Sequence, residues 1–476
     1  MNHRIVIQII GKLMQLAGIF LLLPTIAGVL FGEKEFFVLA STAAAAIVIG
    51  GVLRLVKADK QRIRAREGFI ITAVTWLLFS LIGAIPFFAS GAIPSYTDAV
   101  FETASGFTTT GASILLNVEA MPKCLLLWRS FTHWIGGMGI LVFMLAFVPS
   151  NVDEMNIMKA ESPGPSVEKM VPKVRETAFI LYAIYTALTL CLIIILIIAG
   201  MPIFDSICVS FGTAGTGGFG IKGDSIASYS HACQNIITVG MLMFGVNFNF
   251  YYLIIMKKFK NLIHCEEVYV YLGIFVVATA LVSFGIYNGS LLDAVHHAAF
   301  QVSSIMTTTG FATVDFHTWM NMPKGILVLI MFSGACAGST GGGLKVSRVI
   351  LYFKQVVREI LSYTHPSSVK AIKLDGKAVN KDTLRTTNVF LMAYLLIYVV
   401  SFVLISFDDF DLITTFTSVA ATMNNIGPGL GVVGPAGNYA AYSILAKWTL
   451  IFDMIAGRLE LFPVLILFSV GTWRRK

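Results

Sequence analysis

Four short segments of this chain end in a small-polar-then-glycine turn, at Thr108-Thr109-Thr110-Gly111, Gly215-Thr216-Gly217-Gly218, Thr307-Thr308-Thr309-Gly310 and Asn424-Asn425-Ile426-Gly427. Each lies between strongly apolar stretches. Irregular polar backbone inside a membrane is tolerated only where protein buries it or where it lines a water-filled path. Recurrence at a spacing of roughly a hundred residues marks an internal repeat, and four such loops can together form one pore.

The membrane setting follows from composition. Hydrophobic residues make up 56% of the chain and charged residues 13%, against about half and about a quarter in soluble proteins. Apolar runs near the ~20 residues that cross a bilayer lie at 5–31, 35–53, 69–91, 122–148, 177–201, 233–256, 267–287, 323–353, 386–407 and 441–470, which predicts about ten spanning helices. The stretch after Arg4 exceeds a signal-peptide core and is read as a retained first helix.

The net charge of +8 does not point to nucleic acid, because the cations gather in alternate loops. They cluster at 54–66, 169–175, 257–260, 358–385 and 474–476. By the positive-inside rule those loops and both termini are cytoplasmic, in a multi-pass membrane protein. The opposite loops carry Asp98, Glu119, Asp205, Asp224, Asp293, Asp315, Asp408, Asp409 and Asp411. Six cysteines without paired spacing indicate neither a disulfide framework nor a zinc site.

The predicted fold is an all-α polytopic membrane protein. A two-helix appendage at 1–67 precedes four pseudo-repeats at 68–152, 176–260, 267–360 and 385–472, each a helix, a pore half-helix, a filter loop and a second helix around one pore. Asp98, Asp205, Asp293 and Asp411 open the half-helices and are expected to cap them. Starting at the outer surface, each half-helix points its partly negative C-terminal end into the membrane, where a cation is stabilised.

The turns suit an alkali cation. Rings of backbone carbonyls, with threonine hydroxyls beside them, replace a hydration shell. The turns hold no acidic residue or histidine, so neutral oxygens are the expected ligands, which favours a weakly hydrated monovalent ion over calcium or magnesium. The ligand set is Thr109, Thr110, Gly111; Gly215, Thr216, Gly217; Thr308, Thr309, Gly310; and Asn425, Ile426, Gly427. A weakly hydrated monovalent cation is then the substrate held at the filter, and no cofactor is expected on this chain.

Five glycines fall between Gly334 and Gly343, at 334, 338, 341, 342 and 343. At about 1 kcal/mol each relative to alanine they oppose a continuous helix. Close helix packing through small residues is the alternative. Arg458 is a cation within the last apolar run, where pairing with Glu460 or snorkelling is the ordinary expectation. Arg129, near His133, reads as a structural polar contact.

The segments FETASGFTTTGAS from Phe101, RSFTHWIGGMGI from Arg129, MTTTGFAT from Met306, GACAGSTGGGLKVSR from Gly334, MNNIGPGLG from Met423 and GRLELFP from Gly457 resemble the superfamily of bacterial potassium uptake proteins TrkH, TrkG and KtrB. The similarity covers nearly the whole chain, and the N-terminal hairpin resembles the TrkH and TrkG branch. It implies that Gly111, Gly217, Gly310 and Gly427 are filter glycines passing potassium and rubidium better than sodium. Related sodium-permeable plant transporters carry serine at the first of these positions. The resemblance also implies that the glycine segment ending at Lys345 is an intramembrane gate loop below the filter, and that Arg458 faces the pore. A homodimer and a TrkA-like cytosolic regulatory subunit that binds nucleotide are implied as partners, alongside the bilayer.

Other chemistries find little support. Two GxGxxG matches lack a βαβ context, and Leu344 breaks the spacing of a phosphate loop before Lys345. A membrane enzyme needs a convergent nucleophile or metal cluster, and the sequence offers neither. Proton- or sodium-coupled symport is the nearest alternative to a channel-like pore, although no intramembrane carboxylate stands out as a proton carrier.

Overall fold

The computed structural model describes residues 3–56, 65–140, 142, 174–365, 371–469 and 472. Parts of the basic inner loops, at 57–64, 169–173, 370 and 474–476, and the end of the first repeat as far as 152 lie outside them. The described chain is helical apart from its loops and one two-stranded antiparallel ribbon, Lys373–Leu374 with Lys377–Ala378.

The N-terminal helices His3–Phe31 and Phe36–Arg54 form the expected hairpin, but it is not a loose appendage. The Glu33 carboxylate accepts the N–H groups of Lys123 and Cys124, both at 2.8 Å. It thereby caps the helix Lys123–Met138, whose N-terminal residue Pro122 has no side chain able to do so. Phe20 packs edge-on against Phe131 on the same helix.

Four sequences of long helix, short helix, turn and second helix follow. The long helices are Ala65–Ala89, Val174–Ile198, Glu266–Ile286 and Lys381–Ile405, and the short ones Tyr96–Phe107, Ile203–Gly215, Leu291–Met306 and Leu412–Met423. Six described helices are long and apolar enough to span a membrane, seven if one bent pair is counted as a span. That is fewer than the ten expected: the run 122–148 lies partly outside the described residues, and the other three second members are not single rods. His231–Phe244 and Phe248–Ile255 meet at 90°. The third is split into Asn321–Met331 and Val346–Thr364, the fourth into Ile444–Arg458 and Phe462–Phe468. Hydropathy hardly registers these breaks, since most of the intervening residues are small or apolar.

The aspartates also act differently from expectation. Only Asp411 is an N-cap, accepting from the Thr414 N–H at 3.1 Å. Elsewhere the N-cap residue is Ser95, Pro202 or Ser290, and Asp98, Asp205 and Asp293 lie in the first turn. Ser95 and Ser290 take the N–H groups of Asp98 and Asp293. The aspartates still complement the positive helix end, and each of two gains a partner. Asp98 pairs with Lys447 at 2.6 Å, and Asp205 accepts from the Tyr229 hydroxyl at 2.8 Å.

Candidate functional site

All four half-helices end in the same motif. The N–H of Thr110 bonds the carbonyl of Ser105, Gly217 that of Gly212, Thr309 that of Ser304 and Ile426 that of Ala421, at 2.8 to 2.9 Å. One residue earlier, Thr109, Thr216, Thr308 and Asn425 each bond three residues back at 3.1 Å. These are the paired bonds of a Schellman ending, which requires a left-handed residue at the helix exit. Glycine normally takes that position. Here Thr109, Thr216, Thr308 and Asn425 do, with φ of 55°, 54°, 60° and 56°. Three are β-branched, and each pays about 1–2 kcal/mol for the left-handed backbone. Strain of this kind persists only where the surroundings over-determine it, and it concentrates at functional sites.

This register corrects the alignment of the second turn. The glycine with positive φ is Gly111 (79°), Gly310 (85°) and Gly427 (94°) in three turns, and in the second it is Gly218 (77°). Gly217 instead occupies the place of Thr110, Thr309 and Ile426, Thr216 that of Thr109, and Gly215 is the last residue of its half-helix. The signal was present in the sequence, because Gly218-Phe219 parallels Gly310-Phe311.

The turns touch one another in a closed cycle. A methyl group added to Gly111 would strike the carbonyl oxygen of Gly217; on Gly218 it would strike that of Thr309, and on Gly310 that of Ile426. On Gly427 it would lie 2.6 Å from the carbonyl oxygen of Thr110. In every case the same carbonyl of the motif faces the glycine of the next turn, and the fourth turn returns to the first. Asn425 and Ile426 therefore keep the geometry despite their different side chains. The Asn425 amide nitrogen bonds Thr110 Oγ1 at 3.0 Å and the Met454 carbonyl at 2.8 Å. Tyr439 donates to the Gly427 carbonyl at 2.8 Å.

The glycine segment lies directly against the third and fourth turns. No helix runs from Phe332 to Lys345, and Gly334, Gly338 and Gly343 adopt φ of 68°, 71° and 74°. The Gly342 N–H donates to Thr308 Oγ1 at 2.7 Å. A methyl on Gly342 would lie 2.5 Å from the Asn424 carbonyl oxygen, and one on Gly341 2.9 Å from that of Thr307. Glu267 fastens the loop from behind, accepting from Ala337 N at 2.7 Å and Ser347 N at 3.0 Å. The buried Lys345 ammonium donates to the Gly341 carbonyl.

Arg458 closes this assembly. Its guanidinium donates to the carbonyls of Thr340 at 2.7 Å, Gly136 at 2.5 Å and Gly137 at 2.6 Å. It thus links the glycine loop of the third repeat to the second helix of the first. Glu460, its expected neighbour in sequence, is engaged by Arg348 in a bidentate pair at 2.9 and 2.5 Å. Glu460 and Leu461, at φ of 56° and 65°, break the helix just beyond Arg458.

The fold and the site define a polytopic membrane transport protein in which four re-entrant turns meet at one place above a broken helix. The model of the TrkH family, described as cation transport protein, matches residues 36–286 and 275–472, and the chain belongs to this family. It is 37% identical over 484 residues to the Trk system potassium uptake protein TrkH of Salmonella typhimurium, covering all of both chains. It is 33% identical over 480 residues to the Trk system potassium uptake protein TrkG of Escherichia coli, covering 99% of each. The crystal structure of the potassium transporter TrkH from Vibrio parahaemolyticus superposes with a TM-score of 0.88 at 33% identity over the whole of both chains. These relatives lie in the TrkH and TrkG branch and are transporters rather than enzymes.

Proposed function

We propose that this protein takes up potassium through a channel-like pore whose selectivity filter is the cycle of four turns. The observation that carries the reading is the repeated contact of one motif carbonyl with the next turn's glycine, around a closed set of four. Neutral carbonyls at half-helix C-termini favour a partly dehydrated monovalent cation. The glycine loop and Arg458 are the gate, a reading supported by the hydrogen bond from Arg458 to the Thr340 carbonyl. The protein acts as a homodimer in the bacterial inner membrane, with both termini cytoplasmic. A TrkA-like cytosolic subunit that binds nucleotide regulates it by docking on the basic inner loops, and the chain itself carries no cofactor.

Rubidium, as a potassium surrogate, tests this in proteoliposomes. Uptake that follows the imposed rubidium gradient without a proton or sodium gradient supports a channel-like path. A second reading, proton- or sodium-coupled symport, is favoured by Asp453. This fully buried carboxyl accepts from Ser401 Oγ at 2.6 Å, and its Oδ2 has no hydrogen-bond partner among the described residues. Rubidium entry that stops when the proton and sodium gradients are collapsed would establish coupling instead.

A further inference from the structure

One carboxylate sits inside the first half-helix and has no counterpart in the others. Glu102 is 1% exposed, and the equivalent places hold Val209, Gln301 and Ser418. Its Oε1 accepts from Ser113 Oγ at 3.0 Å and Arg129 Nε at 2.6 Å, and its Oε2 from the Ile114 N–H at 2.9 Å. Ser113 and Ile114 belong to the strand leaving the first turn. Arg129 continues across to the second turn: its Nη1 donates to the Gly220 carbonyl at 2.8 Å, and its guanidinium lies 3.5 Å from the centre of the Phe219 ring. His133 runs parallel to this link. Its Nδ1 bonds the Gly106 carbonyl at 2.8 Å and its Nε2 accepts from the Phe219 N–H at 3.2 Å, which assigns the neutral Nδ1–H tautomer.

Burying an ion pair costs several kcal/mol per ion unless every oxygen and N–H is used well. Here those groups are spent on the backbone just beyond Gly111 and Gly218. We infer that the Glu102–Arg129 pair is a positioning device that fixes the separation of the first and second turns and so sets which cation passes. This rests on the filter reading above. When the brace loosens, the carbonyl cycle widens on that side and discriminates less against the smaller, more strongly hydrated sodium ion.

The test compares rubidium and sodium uptake in proteoliposomes for the parent, Glu102→Gln, Arg129→Lys and Gly111→Ser. Glu102→Gln removes the charge at constant size, and Arg129→Lys keeps the charge but loses the fork that reaches both Glu102 and Gly220. Each should lower the rubidium-to-sodium ratio about tenfold, as expected for losing a charge-assisted hydrogen bond. If Glu102→Gln is not monodisperse in detergent, Ser113→Ala, which removes one donor to the carboxylate, should lower the ratio in its place. Rubidium and sodium uptake falling by the same factor in these variants, while Gly111→Ser lowers the ratio, would overturn the brace and leave the filter standing. An unchanged ratio in Gly111→Ser would remove the filter reading itself.

Discussion

Arg458 donates to the carbonyl oxygen of Thr340 at 2.7 Å, which ties the helix Ile444–Arg458 to the glycine loop of the third repeat. Since the same side chain also bonds Gly136 and Gly137, one cation holds together three of the segments that converge beneath the turns. A fixed positive charge there repels a permeating cation. At about 6 Å and an effective dielectric near 20 the cost is about 2–3 kcal/mol.

Replacing Arg458 by alanine removes both the charge and the tether. Rubidium flux into proteoliposomes should rise by about thirtyfold to about 150-fold, the kinetic equivalent of that barrier. Unchanged flux would return Arg458 to a purely structural role.

Glu267 holds the loop of the proposed gate. Its carboxylate accepts the N–H of Ala337 within the glycine loop and that of Ser347 just beyond it, so Glu267→Ala should free the loop and raise basal rubidium flux severalfold. Because it touches none of the turns, the rubidium-to-sodium ratio should stay at the parental value. A fall in that ratio would show that the loop and the turns are one unit.

The second turn offers a test of register. An added methyl at Gly217 meets the His133 imidazole, whereas at Gly218 it meets the Thr309 carbonyl and would also require a non-glycine residue at φ of 77°. Rubidium uptake lost in Gly217→Ala should recover in part when His133→Ala is added. Uptake lost in Gly218→Ala should not recover, because backbone cannot be trimmed away.

Glu33 predicts a stability effect separate from transport. Loss of a helix cap costs about 1 kcal/mol, so Glu33→Ala should lower the thermal unfolding midpoint in detergent with no change in the rubidium-to-sodium ratio. A changed ratio would mean that the N-terminal hairpin shapes the filter.

Much of this architecture was readable along the chain. The half-helices and turns show in sequence because a threonine-glycine pattern interrupts apolar runs, and the helix break at 334–343 shows because five glycines cannot sustain a helix there. Gly218 was misaligned for a local reason. Two adjacent glycines blur the register that Phe219 marks, and the backbone bond from Gly217 to Gly212 fixes it. The breaks at Phe244–Phe248 and Glu460–Leu461 carry no glycine or proline signal of comparable strength. They are imposed by tertiary contacts, such as the Phe248 N–H to the Gly338 carbonyl at 3.0 Å.

Buried carboxylates were the largest omission. Glu102, Glu267 and Asp453 are 1%, 5% and 0% exposed, yet nothing in the sequence separates them from surface acids. Glu102 is stabilised by Arg129, which follows it by 27 positions. Glu267 is stabilised by N–H groups 70 and 80 positions further along the chain, at Ala337 and Ser347. Partners at such separations become visible only when the helices are packed.

The measurement closest to the central claim is the rubidium-to-sodium flux ratio of purified protein in liposomes, before and after Gly111→Ser. If the four turns form one filter, the parent passes rubidium better than sodium and the substitution brings the two fluxes together. Equal fluxes in the parent that the substitution leaves unchanged would contradict it.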